Sequence, residues 1–129
     1  MATGSRDGFV KIWKVVESQD STTLELLHSF GPASKSGSTV EPVTAIAFCP
    51  KYCNDGADIL AIGLHSGQIE LWKVFDAPNR QCRLLTMLNP HDCHGYTVKK
   101  LAWKPSSNKG QILASCGVDH SVRLFEINL

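Results

Sequence analysis

A chain of 129 residues is long enough for one domain with a core of its own. Its hydrophobic fraction of 43% and charged fraction of 19% belong to an ordinary globular protein. Thirteen basic residues against twelve acidic ones leave a net charge of +1, which argues against holding a nucleic-acid backbone or an anionic membrane through bulk charge. No apolar run reaches the roughly 18 residues that a spanning helix needs, and the N-terminus enters a strand-like pattern without the features of a targeting peptide.

In chain order, "ATGSRDGFVKIW" (Ala2 to Trp13) reads as two short strands around a polar corner. Val10 and Ile12 share a face opposite Lys11. A third strand-like stretch, "TLELLHSF", follows and ends at Phe30. The segment "GPASKSGSTVEP", Gly31 to Pro42, has the composition of a connecting loop. "VTAIAFCP", Val43 to Pro50, is apolar on both faces, as in a strand buried between sheets, and its Pro marks a strand end. "AIGLHSGQIELW", Ala61 to Trp72, repeats the strand, corner and strand, with Ile69 and Leu71 opposing Glu70; "QCRLLTML" supplies the next strand. Finally "VKKLAWKP", Val98 to Pro105, matches "VTAIAFCP", and "ASCGVDHSVRLF", Ala114 to Phe125, closes the pattern.

Three of these segments superimpose without gaps. Trp13, Trp72 and Phe125 end them, and Asp7, Ser66 and Asp119 each stand six residues earlier. A gapless repeat built from short strands means stacked supersecondary units. Each full unit is predicted to be a sheet of four antiparallel strands. Residues 1–30 form a partial unit lacking its innermost strand, 43–88 a complete one, and 94–129 a last one lacking its outer strand, all in one domain.

The ordered motifs resemble the WD-repeat β-propeller family: a Gly-His-like pair at Cys93-His94, an inner strand, a Ser or Thr, an Asp and a closing aromatic. The resemblance implies an all-β fold of about two and two-thirds blades. It also implies that His94, Ser115 and Asp119 hydrogen-bond one another inside the last blade, and that Thr3, Asp7 and Trp13 do so in the first. Phe125 has no N–H, so the last blade's network is expected to end at Ser115 or at water. The middle unit keeps only Trp72 of the set. The order of the motifs, with the phrase "AIGLHSGQIEL" among them, is similar to the C-terminal end of the WD-repeat subunits of Elongator complexes. On that resemblance the chain is expected to be a C-terminal fragment. In the family the final blade borrows its outer strand from the distant N-terminus.

Sharper chemistries fit less well. His91, Cys93 and His94 lie close together, with Cys82 nearby, but no second ligand pair exists, so no metal or cofactor is expected. His94, Ser115 and Asp119 are the residue types of a hydrolase triad, yet no Gly-x-Ser-x-Gly elbow is present and Ser115 lies within an apolar strand. "GSRDG", Gly4 to Gly8, lacks the Lys and helix of a phosphate-binding loop. Lys99, Lys100, Lys104 and Lys109 form a small basic stretch that reads as solvated strand ends, with RNA contact possible but unsupported by overall charge. Five cysteines, Cys49, Cys53, Cys82, Cys93 and Cys116, do not form a disulfide framework and fit a reducing compartment.

The resemblance therefore implies a scaffold rather than an enzyme. Its partners would be the other Elongator subunits, its setting the cytoplasm and nucleus, and its contribution the support of wobble-uridine modification of transfer RNA. A generic WD-repeat adaptor, such as one serving a ubiquitin ligase, is the alternative.

Overall fold

A computed structural model describes residues 1–33, 35–36, 39–50, 53–105 and 110–129. Among these residues every regular element is a strand. A three-stranded sheet joins β1 (Ala2–Gly4), β2 (Val10–Glu17) and β3 (Thr22–Phe30) in that order. A small hairpin, β4 (Lys35–Ser36) and β5 (Thr39–Val40), follows within the segment that reads as a plain connecting loop. The second sheet runs β6 (Val43–Phe48), β7 (Asp58–Leu64), β8 (Ile69–Val74) and β9 (Arg83–Met87); the third runs β10 (Val98–Trp103), β11 (Gln111–Gly117) and β12 (Val122–Ile127). All neighbouring strands are antiparallel. Lys109 lies outside the described residues.

The repeat seen in the sequence extends to the hydrogen-bond register. The β2–β3 ladder slips between Ile12 and Trp13, and the β8–β9 ladder slips at the matching step between Leu71 and Trp72. Such bulges raise the local twist of a strand pair, so the first two sheets share their curvature as well as their strand order.

The sheets stack face to face, and two apolar seams hold them. The seam between the first and second sheets contains Val10, Ile12, Leu60, Ile62, Trp72 and Val74, with Phe30 stacked on Trp72 at 4.5 Å between ring centroids. The seam between the second and third contains Ile59, Ala61, Ile69, Leu71, Leu101 and Leu113. The middle sheet is thus covered on both sides. Its strand β7 is buried from Ile59 to Leu64, whereas the predicted doubly buried strand, β6, is only half covered and leaves Phe48 exposed.

Polar bonds fix the alignment of the stack. Thr44 donates its hydroxyl to the Val98 carbonyl at 2.6 Å, and Trp103 donates its indole N–H to the Ala47 carbonyl at 3.0 Å. His28 donates Nε2–H to the Phe75 carbonyl at 2.9 Å across the other seam.

Candidate functional site

The polar network of the third sheet lies where the loop before β10 folds back over the β11–β12 corner. The His94 side chain is fully buried. Its Nδ1 sits 2.9 Å from Asp119 Oδ1 and therefore carries the proton, while Nε2 lies 2.7 Å from the Ser115 hydroxyl. Ser121 adds two bonds to Asp119, a hydroxyl at 2.8 Å and its backbone N–H at 3.2 Å. The Gly95 N–H reaches the other carboxylate oxygen at 3.4 Å. Burial works against the Asp119 charge, but the hydrogen bonds from Ser121 and His94 outweigh it and hold the carboxyl well below the usual carboxylate range.

The order Asp119, His94, Ser115 is that of a hydrolase triad. Its setting differs. Ser115 is 2% exposed and lies in the middle of β11, opposite Leu101 on one side and Arg123 on the other. A nucleophile needs an open approach and oxyanion donors about 3 Å from the reacting carbonyl. Here the neighbouring space is filled by the seam, so the three side chains tie the loop, the corner and the strand together.

The first sheet behaves differently. Trp13 donates its indole N–H to the Thr3 hydroxyl at 3.0 Å. Asp7 stays apart from that pair. It accepts from the Ser5 hydroxyl and from the Phe9 N–H, the latter at 3.0 Å, and so shapes only its own turn. The hydrogen bond of Ser5 is the chief cause holding the Asp7 carboxyl below its ordinary value.

Two buried carboxylates, one in the middle sheet and one in the segment leading into it, escaped the sequence reading. Alternation of Ile69 and Leu71 puts Glu70 on the opposite face of β8, where it is completely buried. That opposite face meets the first sheet. Glu70 accepts the Trp72 indole N–H at 2.7 Å and the backbone N–H of Ala33 at 3.1 Å, pinning the connecting segment to the seam. Glu41, also buried, accepts the Ser66 N–H at 2.6 Å and so caps the corner that lacks an Asp. The nearest available signal was the two-sided apolar character of β7, which implies that β8 beside it is covered on both faces too. At the rim between the second and third sheets, Thr97 adds bonds to His65, with its hydroxyl 3.0 Å from Nδ1 and 3.1 Å from the carbonyl.

The other sequence candidates disperse. His91 is exposed, whereas Cys93 is buried with the Gln68 amide 3.8 Å from its sulfur, and burial pushes its thiol pKa up. No group of three or more His, Cys, Asp or Glu among the described residues is placed to hold a metal ion. Lys99, Lys100 and Lys104 are exposed. No helix of the described residues is long and apolar enough to cross a membrane.

Stacked antiparallel sheets with an aromatic closing each repeat and a His–Ser–Asp network at the corner are blades of a β-propeller. The WD domain, G-beta repeat family matches residues 82–126, so that part of the chain carries a WD repeat. Nearly the whole chain is also similar to a protein called Elongator complex protein 2. The identity is 36% to the Drosophila melanogaster protein over 98% of the chain, 34% to that of Arabidopsis thaliana over 96%, and 31% to that of Homo sapiens over 98%. The chain spans only about 15–17% of the length of these curated relatives.

Proposed function

We propose that the chain is a non-catalytic scaffold element of an Elongator complex, lending surface to an assembly that modifies the wobble uridine of transfer RNA. The observation that carries this reading is the similarity to Elongator complex protein 2 along nearly the entire chain. The use of polar groups supports it: His94 and Ser115 are buried and, with the half-buried Asp119, occupied with one another, and the buried Glu70 and Trp72 are paired likewise. Blades of this kind offer their loops for binding on a rigid frame. The reaction itself is assigned to another subunit, and the near-neutral charge argues against a direct hold on RNA. This reading expects the assembly in both the cytoplasm and the nucleus.

Affinity capture of the tagged chain from cells tests the reading. Recovery of the Elongator catalytic subunit is the expected result. Recovery of a cullin in its place would favour a ubiquitin-ligase adaptor, and recovery of neither would reject the scaffold role. The purified chain should leave the mobility of labelled transfer RNA unchanged, and fluorescence of the tagged chain should fill both compartments.

A further inference from the structure

The β2–β3 hairpin runs past the end of the sheet it packs on. The β8–β9 ladder stops at the pair Lys73 and Arg83, whose match in the first sheet is Lys14 and Glu25. The β2–β3 ladder continues there through Val15 with Leu24, Val16 with Thr23 and Glu17 with Thr22. Three further pairs make an arm about 10 Å long. Its tip is closed by Ser18, whose N–H and hydroxyl both donate to the Ser21 carbonyl, at 2.8 Å and 3.0 Å. Val16 shares the side of β2 on which Ile12 packs against the middle sheet, yet Val16 is 39% exposed, because the middle sheet has already ended.

The outer edge of this arm is open. Among the described residues β3 has one neighbouring strand, β2, and residues 22–26 are all exposed. About half of an edge strand's N–H and C=O groups point away from its neighbour and offer themselves to another strand. A sheet stacked on either face of β1–β3 leaves them free, because they lie in the plane of the sheet. Natural edges are blunted by Lys, Pro, a bulge or shortness. β9 is short and begins with Arg83. β3 has nine residues, its register slip lies behind the arm, and residues 22–26 include no Lys, Arg, Pro or Gly.

Alternation and charge specify what fits. Leu24 and Leu26 lie on one face of β3, Thr23 and Glu25 on the other. A strand laid along the edge sets alternate residues beside the two leucines and the residue between them beside Glu25. Residues 14–25 carry one Lys against Glu17, Asp20 and Glu25, all exposed, a net charge of −2 in a chain of +1. The acidity of the molecule is thus gathered on the arm.

We propose that the free edge of the β2–β3 arm takes up an extended segment of a partner protein in which apolar residues alternate with lysine or arginine. The segment adds to the sheet as a strand beside β3. Main-chain hydrogen bonds hold it, and the alternation of apolar and cationic side chains selects it. The chemistry is the same whether that partner belongs to an Elongator complex or not.

Short capped peptides test this on the intact chain. One alternates valine with lysine, one alternates valine with glutamate, and one is the first with proline at its centre. Amide hydrogen exchange and amide chemical shifts locate the binding. The valine–lysine peptide should slow exchange of the outward N–H groups of residues 22–26 and bind roughly five- to tenfold tighter than the valine–glutamate peptide. Salt should narrow that difference, and the proline peptide should bind weakly. Glu25→Lys, at an exposed site, should reverse the preference, and Asp20→Lys in the turn should reduce it. No binding, equal affinity for the two charged peptides, undiminished binding of the proline peptide, or a preference that survives both charge reversals overturns the proposal. So does protection that falls outside β3. Protection of residues 22–26 that rises with protein concentration without peptide also overturns it, since the occupant would then be a second copy of the chain.

Discussion

Gly67 and His120 occupy the same corner position in successive sheets, and the structure assigns them opposite responses to substitution. Gly67 has φ of +95°, and a Cβ there would meet the carbonyl oxygens of His94 at 2.0 Å and Tyr96 at 2.6 Å. Gly67→Ala therefore carries left-handed strain of about 1–3 kcal/mol and overpacking of about 1–3 kcal/mol. The stiffer unfolded chain returns about 0.4–1 kcal/mol. The expected net destabilisation is about 1–5.5 kcal/mol, and because the collision is with backbone, rotating a side chain cannot relieve it. His120 already carries its Cβ at φ of 61°. His120→Gly removes strain of about 1–2 kcal/mol and gives back about 0.5–1 kcal/mol in unfolded-state entropy. The result should lie between neutral and about 1.5 kcal/mol more stable. Urea unfolding followed by circular dichroism at equilibrium, with unchanged slope, measures both. Equal midpoints for Gly67→Ala and wild type, or a larger loss from His120→Gly than from Gly67→Ala, would refute the steric account of the corners.

Glu70→Ala strands one buried donor, the Trp72 indole N–H, and releases the exposed Ala33 N–H to water, and should cost about 1–3 kcal/mol in the same assay. Trp13→Phe should stay within about 0.5 kcal/mol of wild type, because its bond to Thr3 lies at the surface. The Asp119 carboxyl is depressed in the fold, so its stabilisation is present above the unfolded value of about 3.9 and is lost as pH falls below it. Wild type should accordingly weaken below about pH 4, and Asp119→Asn should be weaker at neutral pH with a flatter acid limb. Asp58 shows the opposite sign: burial, then the nearby Asp76, push its carboxyl up, with the N-terminal ammonium opposing them. Asp58→Asn should raise the urea midpoint at pH 7, and that gain should vanish below about pH 4.

Much of the fold was legible because strand periodicity and the gapless repeat report the same unit at two scales. Val10 and Ile12, Ile69 and Leu71, and Val122 and Leu124 alternate in the sequence as they do across the sheets. The polar members were harder. Alternation identifies which residues share a face but does not say whether the other face is wet. Glu70 could not be placed for that reason, since both faces of the middle sheet are interior. Glu41 sits in a Ser-, Gly- and Pro-rich segment and becomes meaningful only where that segment passes the Ser66 corner. The pairing of Thr3 with Trp13 but not with Asp7 depends on one hydroxyl's reach, which spacing does not encode.

The middle and last corners are closed by different chemistry at equivalent places. In the last sheet a buried His bridges an Asp and a Ser; in the middle sheet Glu41 caps the corner and Glu70 holds the tryptophan. The first sheet has an exposed Trp–Thr bond and, apart from it, an Asp7 that bonds within its own turn. Yet most apolar positions repeat in both seams, Ser115 standing where Ile62 packs in the first. If the polar groups supplied the cohesion, sheets with such unequal networks could not pack in the same register. Cohesion therefore resides in the apolar seams, where burial contributes about 25 cal/mol per Å². The polar groups act as register pins: each costs stability if left unpaired and adds modestly when satisfied. Substituting a seam residue should accordingly loosen one sheet from the next, as with Leu71→Ala at about 2–5 kcal/mol. Exchanging one satisfied pin for another of matching reach should leave the stack intact.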